Sequence, residues 1–158
     1  MPSKIAPEQA LSRLQHLCSR AEKCIADVRR KLSEWEFAPG EASKIIAQLQ
    51  SGGFVDERRY AKAFVHDKIT LSCWGVVKIR KALKDKKIDE EIIREALCSI
   101  DKLTQERTLA CLLSHKEKSL KAVPLANRKI KLLRFALGRG FEYEMAMRAV
   151  EELLKYEL

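Results

Sequence analysis

No apolar run in this chain approaches the roughly 18 residues needed to cross a bilayer. The N-terminal MPSKIAPEQALSRLQ also lacks the continuous apolar core of a signal peptide. A cytoplasmic protein with no membrane partner is expected. The five cysteines, Cys18, Cys24, Cys73, Cys98 and Cys111, are odd in number and form no C-x-x-C pair, which argues against a disulfide framework and against a zinc site. Each is expected to behave as a small buried apolar residue. His16, His66 and His115 are scattered, with no H-E-x-x-H and no second ligand at helical spacing, so no metal is expected. Glycine is sparse and builds no Walker-type phosphate loop, and no serine sits in a G-x-S-x-G elbow. With neither catalytic constellation nor cofactor motif, an enzyme is not expected. Acidic residues are also in deficit, 22 against 31 Lys and Arg, for a formal charge of +9. That excess points to an acidic partner: a nucleic acid, an acidic protein groove or an anionic surface.

What the sequence has in quantity is helical periodicity. Alternating strand patterns are short, whereas apolar residues recur at i, i+3, i+7 along the whole length, which predicts an all-α chain. One template occurs three times. Ile25, Val28 and Leu32, then Val76, Ile79 and Leu83, then Ile130, Leu133 and Leu137 share that spacing, each marking one helix face. A single apolar residue follows in a turn, Phe37, Ile88 and Phe141. Nine and twelve positions later come Ile46 and Leu49, Leu97 and Ile100, Val150 and Leu153. From triplet to triplet the period is 51 and then 54 residues, a tandem helical repeat slightly longer than the common ones.

The expected organisation is an N-terminal helix within 1–22, three-helix repeats at 23–72 and 73–121, and a truncated third repeat at 122–158. Such repeats stack into an elongated, curved body that offers long surfaces rather than deep pockets, which favours binding over catalysis. Local signals agree with these divisions. Gly52 and Gly53 stop one helix, and Asp56, with Glu57 beside it, caps the next. Ser19 and Glu22 have the spacing of a capping box. Gly138 and Gly140 read as another helix stop.

The cations are grouped. Six of the ten residues from Lys78 to Lys87 are Lys or Arg, with Lys78 and Lys81 opposite the apolar triplet. NRKIKLLRFALGRG repeats the arrangement with Arg128, Lys129, Lys131, Arg134 and Arg139 and no acidic residue. Such runs usually mark a solvated helix face. Two of them in equivalent places of successive repeats would also align along one surface able to track phosphates. The candidate contact residues are therefore Arg58, Arg59, Lys62, Trp74, Lys78, Arg80, Lys81, Lys84, Arg128, Lys131, Arg134 and Arg139. Trp74 could stack on a base or a partner, but beside a helix start it more often packs as a staple.

GGFVDERRYAKAFV, and WGVVKIRKALKDKKI shortly after it, resemble the paired signature of the RecX regulatory proteins, and the resemblance extends from CSRAE at Cys18 to the last repeat. It implies a cytoplasmic bacterial modulator of the RecA recombinase, one that binds in or caps the RecA filament on single-stranded DNA and restrains its growth, ATP hydrolysis and strand exchange. The chain departs from the family pattern at Glu57, where a second aspartate is usual, and at Glu142, where serine or aspartate is the usual cap. Two expectations of different class stand. One is a monomeric regulator occupying the RecA filament, with single- or double-stranded DNA as a further contact. The other is a basic helical-repeat nucleic-acid-binding protein that never touches the recombinase.

Overall fold

The computed structural model describes residues 5–155, so the outer ends of the expected segments 1–22 and 122–158 lie outside the described residues. Among those residues there are nine α-helices and no strand: α1 Pro7–Arg20, α2 Ile25–Glu34, α3 Pro39–Ser51, α4 Glu57–Thr70, α5 Val76–Asp85, α6 Glu90–Cys98, α7 Lys102–Lys118, α8 Leu125–Gly138 and α9 Tyr143–Leu154. The protein is all-α.

Local chemistry sets many of the boundaries. Pro7 and Pro39 open α1 and α3, where a fixed φ suits the first turn and no amide is wasted. Two residues on, Gln9 and Glu41 accept from the amides of Ala6 and Ala38, both at 3.3 Å. Asp56 Oδ1 accepts from the amides of Arg58 and Arg59 at 3.0 and 3.1 Å, the cap expected from the sequence. Asp101 starts α7, accepting from Leu103 N at 3.2 Å. Gly53, at φ 75°, closes the turn after α3.

The Ser19–Glu22 box does not form. Ser19 lies in the last turn of α1, where its hydroxyl donates to His16 O at 2.6 Å, and α2 starts only after an extended Cys24. A distant residue does the capping: Glu57 Oε1 accepts from Ile25 N at 3.3 Å. A tertiary contact has replaced the local one, leaving Glu22 to pair with Arg59.

The chain divides into two compact units. The first takes the described residues up to Phe64 together with Leu83–Ile93; the second takes Val65–Ala82 together with the described residues from Arg94 onward. In the first, α3 packs on α1 and α2 around Leu14, Val28, Leu32, Phe37, Ile46 and Leu49. In the second, α7, α8 and α9 pack mutually around Leu109, Leu113, Leu132, Ala136, Phe141, Ala146 and Val150. Each fully enclosed aliphatic side chain contributes about 1.5–3 kcal/mol through burial.

Phe37, Ile88 and Phe141 are all buried, at 6, 5 and 2% exposure. The third triplet is one residue out of register. Ile130 and Leu137 are exposed, and the positions equivalent to Val28 and Leu32, or to Ile79 and Leu83, are Leu132 and Ala136, both fully buried. The structural period is thus 51 and then 53 residues, as the spacing of the three turn residues shows.

Candidate functional site

In the first unit, Arg58, Arg59 and Lys62 lie exposed on the opening turns of α4. Arg59 is committed internally. Its Nε is 2.6 Å from Glu22 Oε1, and its Nη2 donates to Gly53 O at 2.9 Å and Phe54 O at 3.4 Å, so it clamps the turn that precedes the Asp56 cap. Lys84 is exposed and pairs with Glu90 at 3.6 Å.

Behind these residues lies a polar cluster that the sequence reading missed. Lys86 Nζ is 2.5 Å from Asp27 Oδ1. Burial alone would raise the Asp27 carboxyl, but hydrogen bonds from Lys86 and Cys24 outweigh it and hold the group below its usual range. Burial pushes the Cys24 thiol up and likewise raises Glu57. No local pattern links residues 59 positions apart, as Asp27 and Lys86 are, so nothing in the sequence announces the pair. An open cleft of about 420 Å³ adjoins them, lined by Arg29, Arg30, Ser33, Glu57, Lys86 and Lys87 among others. Lys86 is already neutralised there, and the Glu57 carboxylate would repel an anion.

In the second unit, Trp74, Gly75 and Lys78 form one assembly. The Trp74 ring is half-buried, with Lys68 Nζ 4.6 Å and Lys78 Nζ 4.5 Å from its centroid, within cation–π range. Gly75 N donates to Arg139 O at 2.8 Å and Val77 N to Gly140 O at 2.9 Å. Carbonyls of the α8–α9 turn therefore satisfy amides at the start of α5. The approach is so close that a Cβ on Gly75 would fall on the Gly140 carbonyl and 2.5 Å from Phe141 N, while one on Gly140 would strike Lys78, 2.7 Å from its amide. Gly140 also sits at φ 94°. The Trp-Gly pair and the Gly-x-Gly stop are two halves of one joint, and Arg139 secures it by donating from Nη2 to Ser72 O at 2.6 Å.

Farther along α5, Arg80 is half-buried and Lys81 exposed. On α8, Arg128 is only 12% exposed: its guanidinium donates to Val123 O at 3.0 Å and Lys121 O at 3.3 Å and lies 3.7 Å from Glu117. Lys131 and Arg134 are exposed, and no hydrogen bond or ion pair engages either side chain among the described residues. Thus Arg59, Arg128 and Arg139 serve their own backbone, while Lys62, Lys81, Lys131 and Arg134 present charge to solvent. Among the described residues no three His, Cys, Asp or Glu side chains are placed to hold a metal ion. No helix there is long and apolar enough to cross a membrane.

A family model described as RecX, second three-helix domain, matches residues 56–97, which span α4 to α6. That grouping and the expected repeat at 73–121 differ in phase by one helix. The regulatory protein RecX of Clostridium botulinum (strain Eklund 17B / Type B) is 35% identical over 133 residues, covering 83% of this chain and 62% of the relative, so the chain spans about three fifths of that protein's length. The regulatory protein RecX of Thermus thermophilus is 30% identical over 141 residues, or 89% of each protein. Among solved structures, one of regulatory protein RecX matches with a TM-score of 0.82 at 23% identity, covering 95% of this chain and 71% of the other. That of RecX from Lactobacillus salivarius gives 0.81 at 21% identity, covering 93% and 96%. These two establish the shared all-α fold. With the Thermus relative matched over nearly its whole length and both signature segments in place, the chain belongs to the RecX family of regulatory proteins.

Proposed function

We propose that this chain is a non-enzymatic regulator that binds RecA or the RecA filament on single-stranded DNA, chiefly inhibiting its ATPase, its growth and its strand exchange. The observation that carries this reading is what the family signature does in the structure. Within it Asp56 caps a helix, and Gly75 permits a close backbone contact with the turn at Gly140. These structural roles support reading the signature as a scaffold, and the outward cations Lys62, Lys81, Lys131 and Arg134 support contact with an acidic partner. A cytoplasmic monomer with DNA phosphates as a secondary contact is consistent with the +9 charge.

The test is the rate of ATP hydrolysis by RecA on single-stranded DNA, titrated with this protein. Hydrolysis should fall with increasing protein, while the protein alone hydrolyses neither ATP nor DNA. A nuclease or ATPase that co-purifies with the chain and is lost on mutating one cluster of side chains would contradict this reading.

A further inference from the structure

The helix α8 buries only one of its sides. Leu132 and Ala136 are fully enclosed, yet Ile130 is 50% and Leu137 40% exposed. At 3.6 residues per turn, Ile130, Arg134 and Leu137 fall within a sector about 60° wide. Asn127, Ile130, Arg134 and Leu137 also follow the three-four alternation of a helix-pairing seam. Lys131 flanks the seam, and α8 contains no acidic residue.

Lone exposed apolar side chains are ordinary; two of them one heptad apart around an Arg that has no partner among the described residues are not explained by solubility. We infer that the outward face of α8 docks an amphipathic helix of a partner protein, one carrying carboxylates beside its apolar seam. Apolar anchors at i and i+7 are how such helices are read, and Lys131 and Arg134 supply the complementary charge. A phosphate backbone would leave Ile130 and Leu137 without matching surface. A second copy of this chain, docked face to face, would set Lys131 and Arg134 against like charges. The inference specifies partner chemistry for the proposed function and rests on it only for who supplies the helix.

The probe is a designed, fluorescein-labelled helix of about three heptads, with Leu along its seam and Glu on both flanks. Its control is the same peptide with Lys in place of Glu. Fluorescence anisotropy with the full chain should show saturable binding of the acidic peptide only. Ile130→Ser with Leu137→Ser, and separately Lys131→Gln with Arg134→Gln, should each weaken it about tenfold, the equivalent of about 1.4 kcal/mol. All four side chains are exposed, and circular dichroism should show both variants folded. Should the serine variant unfold, Ile130→Ala with Leu137→Ala decides the apolar contribution.

The inference is overturned if the acidic peptide does not bind, or if the apolar variants bind it as well as wild type. Bare single-stranded DNA bound through this face, lost only in the Gln variant, would instead mark a phosphate surface and would equally overturn it. The same variants titrated against RecA filaments separate the two readings. Peptide binding as expected with no filament binding by wild type leaves the docking face standing and removes the proposed partner.

Discussion

A Gly75→Ala variant is expected to lose about 3–4 kcal/mol of stability and to melt about 10 °C lower. The new methyl falls on the Gly140 carbonyl and crowds Phe141 N, all backbone atoms that no rotamer change can move. Overpacking of that kind costs about 1–3 kcal/mol. Relieving it would separate Gly75 N from Arg139 O and Val77 N from Gly140 O, about 1 kcal/mol each. For a chain of this size each kcal/mol shifts the melting point by about 2–4 °C. Gly140→Ala meets Lys78 and forces a side chain onto φ 94°, so its loss should be comparable. Gly138→Ala is the control. It lies at the end of α8 with nothing within 4 Å of the added Cβ, and alanine there should be neutral or stabilise by up to about 1 kcal/mol. Thermal melts followed by circular dichroism decide the matter. A Gly75→Ala melting point equal to that of Gly138→Ala would show that the joint yields without cost.

Leu132→Ala is expected to cost about 3 kcal/mol, within the usual range of about 2–5 for an enclosed leucine. Ile130→Ala, two residues away on the same helix, should change stability by less than about 1 kcal/mol, because half of Ile130 is already in water and alanine favours the helix. Urea unfolding of the two variants reads the register of α8 directly. Equal losses, or a larger loss at Ile130, would restore the register suggested by the Ile130, Leu133, Leu137 spacing.

That register shows where sequence reading succeeds and where it stops. The all-α class and the caps at Asp56 and Gly53 are local properties, encoded in residues a few positions apart, and they were legible. So was the recurrence of one apolar residue after each helix, at Phe37, Ile88 and Phe141, though their burial emerges only in the structure. In KIKLLRFALG two apolar stripes coexist, because Ile130 and Leu137 project outward while Leu132 and Ala136 face the core. Periodicity alone cannot rank two such stripes. The cations raise the same difficulty. Arg59, Arg128 and Arg139 look in the sequence like Lys131 and Arg134, yet the first three spend their guanidiniums on backbone carbonyls of turns. The contacts between Gly75 and Gly140, and between Asp27 and Lys86, join positions far apart in the chain, for which one sequence carries no local signal.

The proposed function turns on whether the recombinase, and not merely its DNA, is what the chain binds. The most direct measurement compares affinity for RecA-coated single strands with affinity for the same bare strand at equal salt, by anisotropy of labelled protein. Binding through phosphates alone follows counterion release and needs no recombinase. The filament is expected to bind at least about tenfold more tightly than the bare strand, a difference of about 1.4 kcal/mol, and to keep that advantage as salt rises. Equal affinities that fall together with salt would contradict the account and leave a basic helical nucleic-acid-binding protein in its place.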